Sequence, residues 1–208
     1  MPRHAVKEKD AIESETRRRL IEAATREFAS AGYEMANINR ISTLAGFARG
    51  TVYNYFPSKR ALLVRTLEVH GQEHVDYVSR RSIEAPVPVG RLRLFFDAGF
   101  EFIASRPLES KLLFVCLQTA DSETKALMGK IFQPLFGLIA EEILAPGTSR
   151  GAFLPLDPAT TATLIMTFYL GAGSQVDEGG KPYLPAADVA DFAIRAISRT
   201  VPPTKERT

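Results

Sequence analysis

Residues 36–59 of the chain read ANINRISTLAGFARGTVYNYFPSK, and this stretch predicts two short helices joined by a tight turn. Asn37 is a good N-cap, because its side-chain oxygen can accept hydrogen bonds from the free N–H groups of a first helical turn. Apolar residues then recur at helical spacing as far as Gly46, and glycine ends a helix in a left-handed conformation at no steric cost. We expect a second helix from Arg49 to Phe56, which Pro57 stops.

The outer face of that second helix has an unusual composition. Val52, Tyr55 and Phe56 share the inward side, so donors and an aromatic hydroxyl remain outside. The 33 positions from 35 to 67 contain no Asp or Glu, but they contain five cations: Arg40, Arg49, Lys59, Arg60 and Arg65. A surface shaped by solubility alone mixes both charges. This composition suits phosphate oxygens and base edges instead, and it favours DNA recognition over a mildly basic helical hairpin.

The run AGFARGTVYNYFPSKRALL closely resembles the recognition segment of the TetR (tetracycline repressor) family of bacterial transcription regulators. LIEAATREFASAGYEMANINRISTLAG resembles the first two helices of that family, so the resemblance covers about Thr16 to Leu67. Its most specific part is the YxYFxSK pattern that ends at Lys59. Two positions depart from the pattern. Ala48 stands where the family usually has a capping Ser, and Ala36 replaces a common Thr.

The resemblance implies an all-α, two-domain, homodimeric DNA-binding regulator. Residues 1–58 would form a three-helix helix-turn-helix domain, and residues 59–208 a larger helical domain for dimerisation and effector binding. The family's DNA-contacting positions fall on Asn37, Asn39, Arg49, Gly50, Thr51, Tyr53, Asn54, Tyr55 and Lys59. Arg49 and Asn54 are suited to reading guanine and adenine. Asn37, Tyr53 and Lys59 would hold phosphates, and Gly50 would let the backbone approach closely.

Composition is consistent with a globular regulator. The 208 residues carry a net charge of only +2, but residues 1–80 hold 13 Lys+Arg against 10 Asp+Glu, whereas residues 81–208 hold 13 against 14. The basic excess therefore lies with the motif. The single cysteine, Cys116, lies in the apolar run LLFVCL and is expected to be a buried small hydrophobe. With no membrane-length apolar run and no signal-peptide pattern, we expect a cytoplasmic protein.

Helical periodicity extends along the rest of the chain. We expect a loose charged arm over residues 1–13, a first helix from Ser14–Thr16 to Gly32, and a long lever helix from Lys59 to about residue 81, capped by Ser58. A linker is predicted over residues 82–90. Five more helices follow, at about 90–105, 107–119, 122–145, 157–176 and 186–201, with Pro134 bending the third.

Large apolar side chains are in surplus on the helices of the C-terminal part. They predict either a pocket for a mostly apolar effector or a fully packed aromatic core, which apolar patterning alone cannot distinguish. The candidate ligand-binding residues are Phe95, Phe96, Phe100, Phe114, Gln118, Phe132, Gln133, Phe136, Met166 and Tyr169. Met128 would serve as adaptable filler.

The last helix has two apolar faces and therefore needs two partners. One partner is the domain core, and the other is most simply a second copy of the chain. We assign Ala187, Ala190, Ile194 and Ile197 to the dimer interface. A dimer predicts a pseudo-palindromic operator in double-stranded DNA.

One motif indicates a different class of protein. Residues 70–74, HGQEH, match the H-x-x-E-H signature of a class of zinc protease, although nothing downstream supplies a third ligand. The alternative is a pair of surface histidines, which we favour, and we expect neither a metal site nor catalysis. No phosphate loop or dinucleotide fingerprint is present, so no cofactor is expected. Among non-enzymes, an architectural DNA binder without effector control is the alternative to a regulator.

Overall fold

The computed structural model describes residues 3–119 and 121–199. Their regular structure is helical apart from two isolated antiparallel bridges, Phe153–Ser198 and Val176–Pro182, so the all-α prediction is confirmed. The elements are α1 (Arg3–Met35), α2 (Ile38–Leu44), a 3-10 turn (Thr51–Asn54), α3 (Lys59–Ser82), α4 (Pro88–Ser105), α5 (Pro107–Thr119), α6 (Ser122–Gly137), a π-helical segment (Leu138–Leu144), α7 (Ala145–Ser149), α8 (Pro158–Gly173) and α9 (Ala186–Ile197).

Helix α1 begins earlier than expected. The prediction of a loose arm is wrong for residues 3–13, which are helical, while residues 1 and 2 lie outside the described range. No glycine or proline interrupts residues 3–31, and charged residues with good helix propensity fill this part of the chain. The predicted end is confirmed: Gly32 breaks the helix with a φ of 74°, before one further turn.

The helix-turn-helix begins as predicted but ends differently. The Asn37 side chain accepts from the backbone N–H groups of Asn39 and Arg40, at 2.9 and 3.3 Å. The expected second helix is only the Thr51–Asn54 3-10 turn, preceded by a left-handed Gly50 with a φ of 79°. β-Branched and aromatic residues with low helix propensity crowd this segment, so a longer α-helix gains little. The backbone N–H of Val52 donates to the buried Ser42 hydroxyl, at 3.3 Å, which ties the turn to α2.

The larger bundle is organised around α3. Ser58 caps this helix by accepting from the backbone N–H of Ala61, at 3.0 Å, as predicted. Helix α3 packs along α4 and α6, and α4 packs on α9. The predicted linker shrinks to residues 83–87 because Pro88 already occupies the first turn of α4. Helix α6 contains Pro134 and continues into the π-helical segment and α7.

Helix α1 joins the two parts of the molecule. It contacts α2 within the DNA-binding part and also packs on α3 and α5 of the larger bundle. The buried apolar side chains of both parts form one continuous core. Helix α1 therefore connects the packing of the bundle with that of the helix-turn-helix.

Candidate DNA interface and regulatory core

Four predicted DNA-contacting side chains lie free on the surface of the helix-turn-helix. Asn39, Arg49, Tyr53 and Asn54 are exposed, Tyr53 by 56%. Within residues 3–119 and 121–199, none of these four side chains has a hydrogen bond or an ion pair. Asn37, Asn39, Arg40, Thr43 and Arg49 line a shallow groove of about 360 Å³ between α2 and the 3-10 turn. Unpaired donors beside a groove are the groups that phosphates and base edges require.

Three other predicted positions have structural partners. The Thr51 hydroxyl donates to the Ala48 carbonyl at 2.7 Å, so it closes the turn that lacks the family's capping Ser. Gly50 supplies the left-handed residue before it. Tyr55 is half-buried, and its carbonyl accepts from Arg17 Nη1 at 3.1 Å, while the Arg17 guanidinium lies 5.5 Å from the Tyr55 ring centroid. These residues shape the turn that carries the free side chains.

Lys59 is placed differently from the prediction. Its Nζ donates to the backbone carbonyls of Glu34 and Ala36, at 2.9 and 3.3 Å, and lies 4.7 Å from the centroid of the Tyr33 ring. The ammonium is thus engaged within the protein, and the role of free phosphate ligand that we assigned to it is not supported. Lys59 instead joins the end of α1 to the start of α3.

Sequence reasoning missed a buried carboxylate that holds α2 in place. The side chain of Glu27 is 3% exposed, accepts from the backbone N–H of Asn37 at 3.1 Å, and pairs with Arg40 Nε at 3.2 Å. Glu27 lies on the same helical stripe as Leu20, Ala24 and Phe28, and a carboxylate on an apolar stripe is the signal that could have found it.

The two histidines are buried, so the expectation of surface histidines is wrong. His70 and His74 continue the inward stripe of Leu63, Leu67 and Val78. The Thr25 hydroxyl donates to the Ile21 carbonyl at 2.8 Å, so its oxygen accepts from His70 Nε2, 2.7 Å away. Among the described residues, no group of three or more His, Cys, Asp or Glu side chains could hold a metal ion.

His74 forms a buried polar pair with Tyr169 inside an aromatic cage. Its Nε2 contacts the Tyr169 hydroxyl, and its ring centroid lies 4.5 Å from that of Phe102 and 5.5 Å from that of Phe132. Burial, helped by the nearby charge of Arg106, lowers the pKa of His74 to about 3, so the imidazole is neutral. Burial also raises the pKa of the Tyr169 hydroxyl. His74 Nδ1 is buried without a hydrogen-bond partner among the described residues.

The predicted ligand-binding residues divide into three groups. The first group is buried: Phe95, Phe96 and Phe100 pack on Tyr169, Phe132 packs on His74, and Met166 is also buried. Phe114 and Phe136 are half-buried. Gln118 and Gln133 are exposed, so these two polar candidates do not face the interior. The Phe95 and Tyr169 ring centroids are 5.0 Å apart, and a Cβ built on Gly99 would overlap the Tyr169 ring. The cage around Tyr169 is therefore closely packed.

The face of α9 that is free for a partner is not the predicted one. Ala190, Ile194 and Ile197 are buried in the chain's own core, which makes their assignment to the dimer interface wrong; only Ala187 is exposed. The exposed apolar side chains lie on the opposite side, as Phe192 on α9 and Leu164 and Phe168 on α8. The Phe168 and Phe192 ring centroids are 5.2 Å apart. The two helices thus share one apolar outer face.

Comparison with known proteins agrees with this architecture. Residues 20–66 match the family model described as bacterial regulatory proteins, tetR family. The chain is 26% identical over 154 residues to an uncharacterised HTH-type transcriptional regulator, YhgD, of Bacillus subtilis, covering 73% of this chain and 78% of that protein. It is 27% identical over 129 residues to the HTH-type transcriptional repressor KstR of Rhodococcus jostii, covering 60% and 59%.

A solved structure shows the same fold. The crystal structure of the transcriptional regulator FadR from Bacillus subtilis, in complex with stearoyl-CoA, superposes with a TM-score of 0.73 at 18% identity. The match covers 85% of this chain and 95% of that one. In the described part of the molecule, no helix combines the length and apolarity needed to cross a membrane. Over residues 20–66 the chain therefore carries the helix-turn-helix of the tetR family of bacterial regulatory proteins, and a larger helical bundle follows it.

Proposed function

We propose that the protein is a cytoplasmic, homodimeric, sequence-specific transcriptional repressor that a mostly apolar effector releases from DNA. Residues 1–58 read the operator, and residues 59–208 dimerise and bind the effector. The observation that carries this proposal is the set of free side chains on the helix-turn-helix: Asn39, Arg49, Tyr53 and Asn54. A carboxylate-free surface with unpaired donors attracts phosphates and discriminates base edges.

The shared apolar face of α8 and α9 supports dimerisation. Phe192 is 59% exposed and touches the ring of Phe168, and a Cβ on Gly171 would meet no atom within 4 Å. Two such helix pairs facing each other make a four-helix bundle with two-fold symmetry. Each dimer then presents two recognition turns, which requires a pseudo-palindromic operator.

The aromatic cage around His74 and Tyr169 supports an apolar effector. The cage offers large rings with one placed polar pair, which is the usual chemistry of small-molecule sites. The FadR structure that shares this fold contains stearoyl-CoA, and we extend that chemistry to this chain as a compound with an acyl chain. Because the cage is closely packed, binding must open it, and the effector acts by favouring the open state.

We expect no catalytic activity. The two histidines of the H-x-x-E-H motif are bonded to different partners, Thr25 and Tyr169. His70 and Glu73 line a groove of about 350 Å³, but His74 does not line it, so the two imidazoles do not converge on one metal position. Two of the relatives, YhgD and KstR, are named as transcriptional regulators.

The proposal is tested by selecting bound sequences from random DNA and footprinting the protein on the enriched sequences. We expect a pseudo-palindrome, occupied by one dimer, whose affinity falls steeply with salt. Addition of long-chain acyl-CoA should then lower the affinity. If no sequence is enriched, the protein is an architectural DNA binder. If a palindrome is found but no acyl compound releases it, the effector assignment fails and the DNA assignment stands.

A further inference from the structure

A cleft of about 470 Å³ lies where the DNA-binding part meets the larger bundle. It is separate from the aromatic cage and opens between four helices. Helix α1 contributes Phe28, Tyr33 and Glu34, α3 contributes Leu63, and α5 contributes Leu112 and Cys116. Its volume falls in the range of small-molecule sites.

The floor of this interdomain cleft is apolar and uncharged. Phe28, Leu63 and Leu112 are almost fully buried, and the Phe28 and Tyr33 ring centroids are 6.1 Å apart. Burial raises the pKa of the Cys116 thiol to about 11, so the thiol adds no charge. An apolar or aromatic body therefore finds a matching surface here.

The rim of the cleft carries one unneutralised negative charge. Arg60 Nη1 donates to Asp121 Oδ2 at 3.0 Å and to the Thr124 hydroxyl at 2.6 Å. The backbone N–H of Thr124, together with Arg60, lowers the pKa of Asp121 to about 2, so this pair stays ionised and neutralises itself. The Glu34 carboxylate has no ion pair among the described residues. Lys59 is turned onto the backbone carbonyls of Glu34 and Ala36 instead.

We propose that the interdomain cleft is a second small-molecule site, for an apolar compound that carries a cationic amine. The apolar body lies on the Phe28–Leu63–Leu112 floor, and the ammonium group pairs with the Glu34 carboxylate. An anionic head is disfavoured, because Arg60 is already matched and Glu34 would repel it. This site goes beyond the proposed acyl effector and uses none of its residues.

A ligand in this cleft would lie close to the start of the helix-turn-helix. Glu34 lies three residues before the Asn37 cap, and Gly32 at the break of α1 also lines the cleft. A ligand wedged between α1 and α5 shifts the last turn of α1 and, with it, the N-terminus of α2. The amine compound therefore changes operator affinity without entering the aromatic cage.

The experiment uses three probes that share one body and differ in head group: 4-phenylbutylamine, 4-phenylbutanol and 4-phenylbutyrate. Binding to the full-length protein is measured without DNA, by calorimetry and ligand-observed NMR, so that the result is independent of the proposed repressor function. We expect the amine to bind more tightly than the alcohol by about twofold to fivefold, the size of an exposed ion pair, and the carboxylate to bind most weakly. Equal affinities, a reversed order, or no binding at millimolar concentration would overturn the proposal.

Two variants locate the site, with a matched control. Glu34→Gln should remove the preference for the amine, whereas Glu178→Gln, an exposed carboxylate on the α8–α9 loop, should leave it unchanged. Val115→Trp should fill the mouth of the cleft and weaken all three probes. Thermal melting confirms that each variant is folded. If the amine preference survives in Glu34→Gln, or if Val115→Trp binds the probes as before, the cleft is not the site.

Discussion

The turn over residues 49–54 and the aromatic core around Tyr169 use polar groups in opposite ways. On the turn, Arg49 and Asn54 are exposed and unpaired among the described residues, and the fold does not need their side chains. In the core, His74 Nε2 and the Tyr169 hydroxyl are buried and paired with each other. The core pair cannot lose a partner without cost, whereas the side chains on the turn leave their donors free for the DNA that we propose as their partner. Variants of the core should therefore change stability, and variants of the turn should change DNA affinity.

The largest expected effect is that of Gly99→Ala. A Cβ at this position would overlap the Tyr169 ring, so Tyr169 must move and its contact with His74 is strained. We expect the free energy of unfolding to fall by about 3 kcal/mol, as for other overpacked cores. Urea denaturation measures the change. Gly129→Ala, on α6 with open space around it, is the control and should stabilise the protein by about 0.5–1 kcal/mol. A Gly99→Ala variant as stable as the parent would show that the cage has room for the added methyl group.

The second-largest expected effect is a loss of stability at acidic pH. The pKa of His74 is about 3 in the folded protein and 6.5 in the ordinary case, so the unfolded chain binds its proton first. Above pH 6.5 the low pKa of His74 does not change the free energy of unfolding. Below pH 6.5 it lowers that free energy by about 1.4 kcal/mol per pH unit, down to about pH 3. At pH 5 this amounts to about 2 kcal/mol, measured by urea denaturation at several pH values. The His74→Phe variant should lack this part of the pH dependence, and an unchanged slope would contradict the assignment.

On the turn, Arg49→Ala should act on DNA alone. We expect a loss of about 1–3 kcal/mol in operator binding and relaxed preference at one base pair, because an arginine that reads guanine makes two hydrogen bonds. Fluorescence anisotropy on operator and random DNA measures both effects. The free energy of unfolding should stay within about 0.5 kcal/mol of the parent value. Arg150→Ala, an exposed cation after α7, is the control and should leave DNA binding unchanged.

The smallest expected effect tests the boundary between the two regions. Lys59→Met removes two hydrogen bonds to backbone carbonyls, so stability should fall by about 1 kcal/mol, and affinity for operator and random DNA should fall together. If Lys59 were a phosphate ligand instead, stability would be unchanged and the salt slope of binding would fall by about one unit. Denaturation and a salt titration of the same variant decide between these outcomes.

The sequence predicted the parts of this molecule that depend on local rules. The Asn37 and Ser58 caps and the breaks at Gly32 and Gly46 follow from residue type and spacing alone. The inward stripe of α3 was also predictable, although its two histidines were misread as a surface pair. A buried histidine is intelligible only once its partner is known, and Tyr169 lies 95 positions from His74.

The dimer face and the ligand residues were harder to predict because they depend on three-dimensional packing. Helix α9 is apolar on two sides, and its packing against α4 and α8 determines that Ile194 is buried while Phe192 is exposed. The exposure of Gln118 and Gln133 likewise depends on how α5 and α6 are rotated in the bundle. Periodicity shows which faces of a helix are apolar, but it does not show which of two apolar faces the core buries.

The contact made by Lys59 has a mechanical consequence. Its ammonium fastens the last turn of α1 to the first residue of α3, and Glu27 fastens α1 to the start of α2. These two contacts join α1, α2 and the first turn of α3 to one another. In the proposed dimer, a tilt of α3 would therefore carry α2 and the recognition turn with it, and would change the distance between the two recognition turns on the operator.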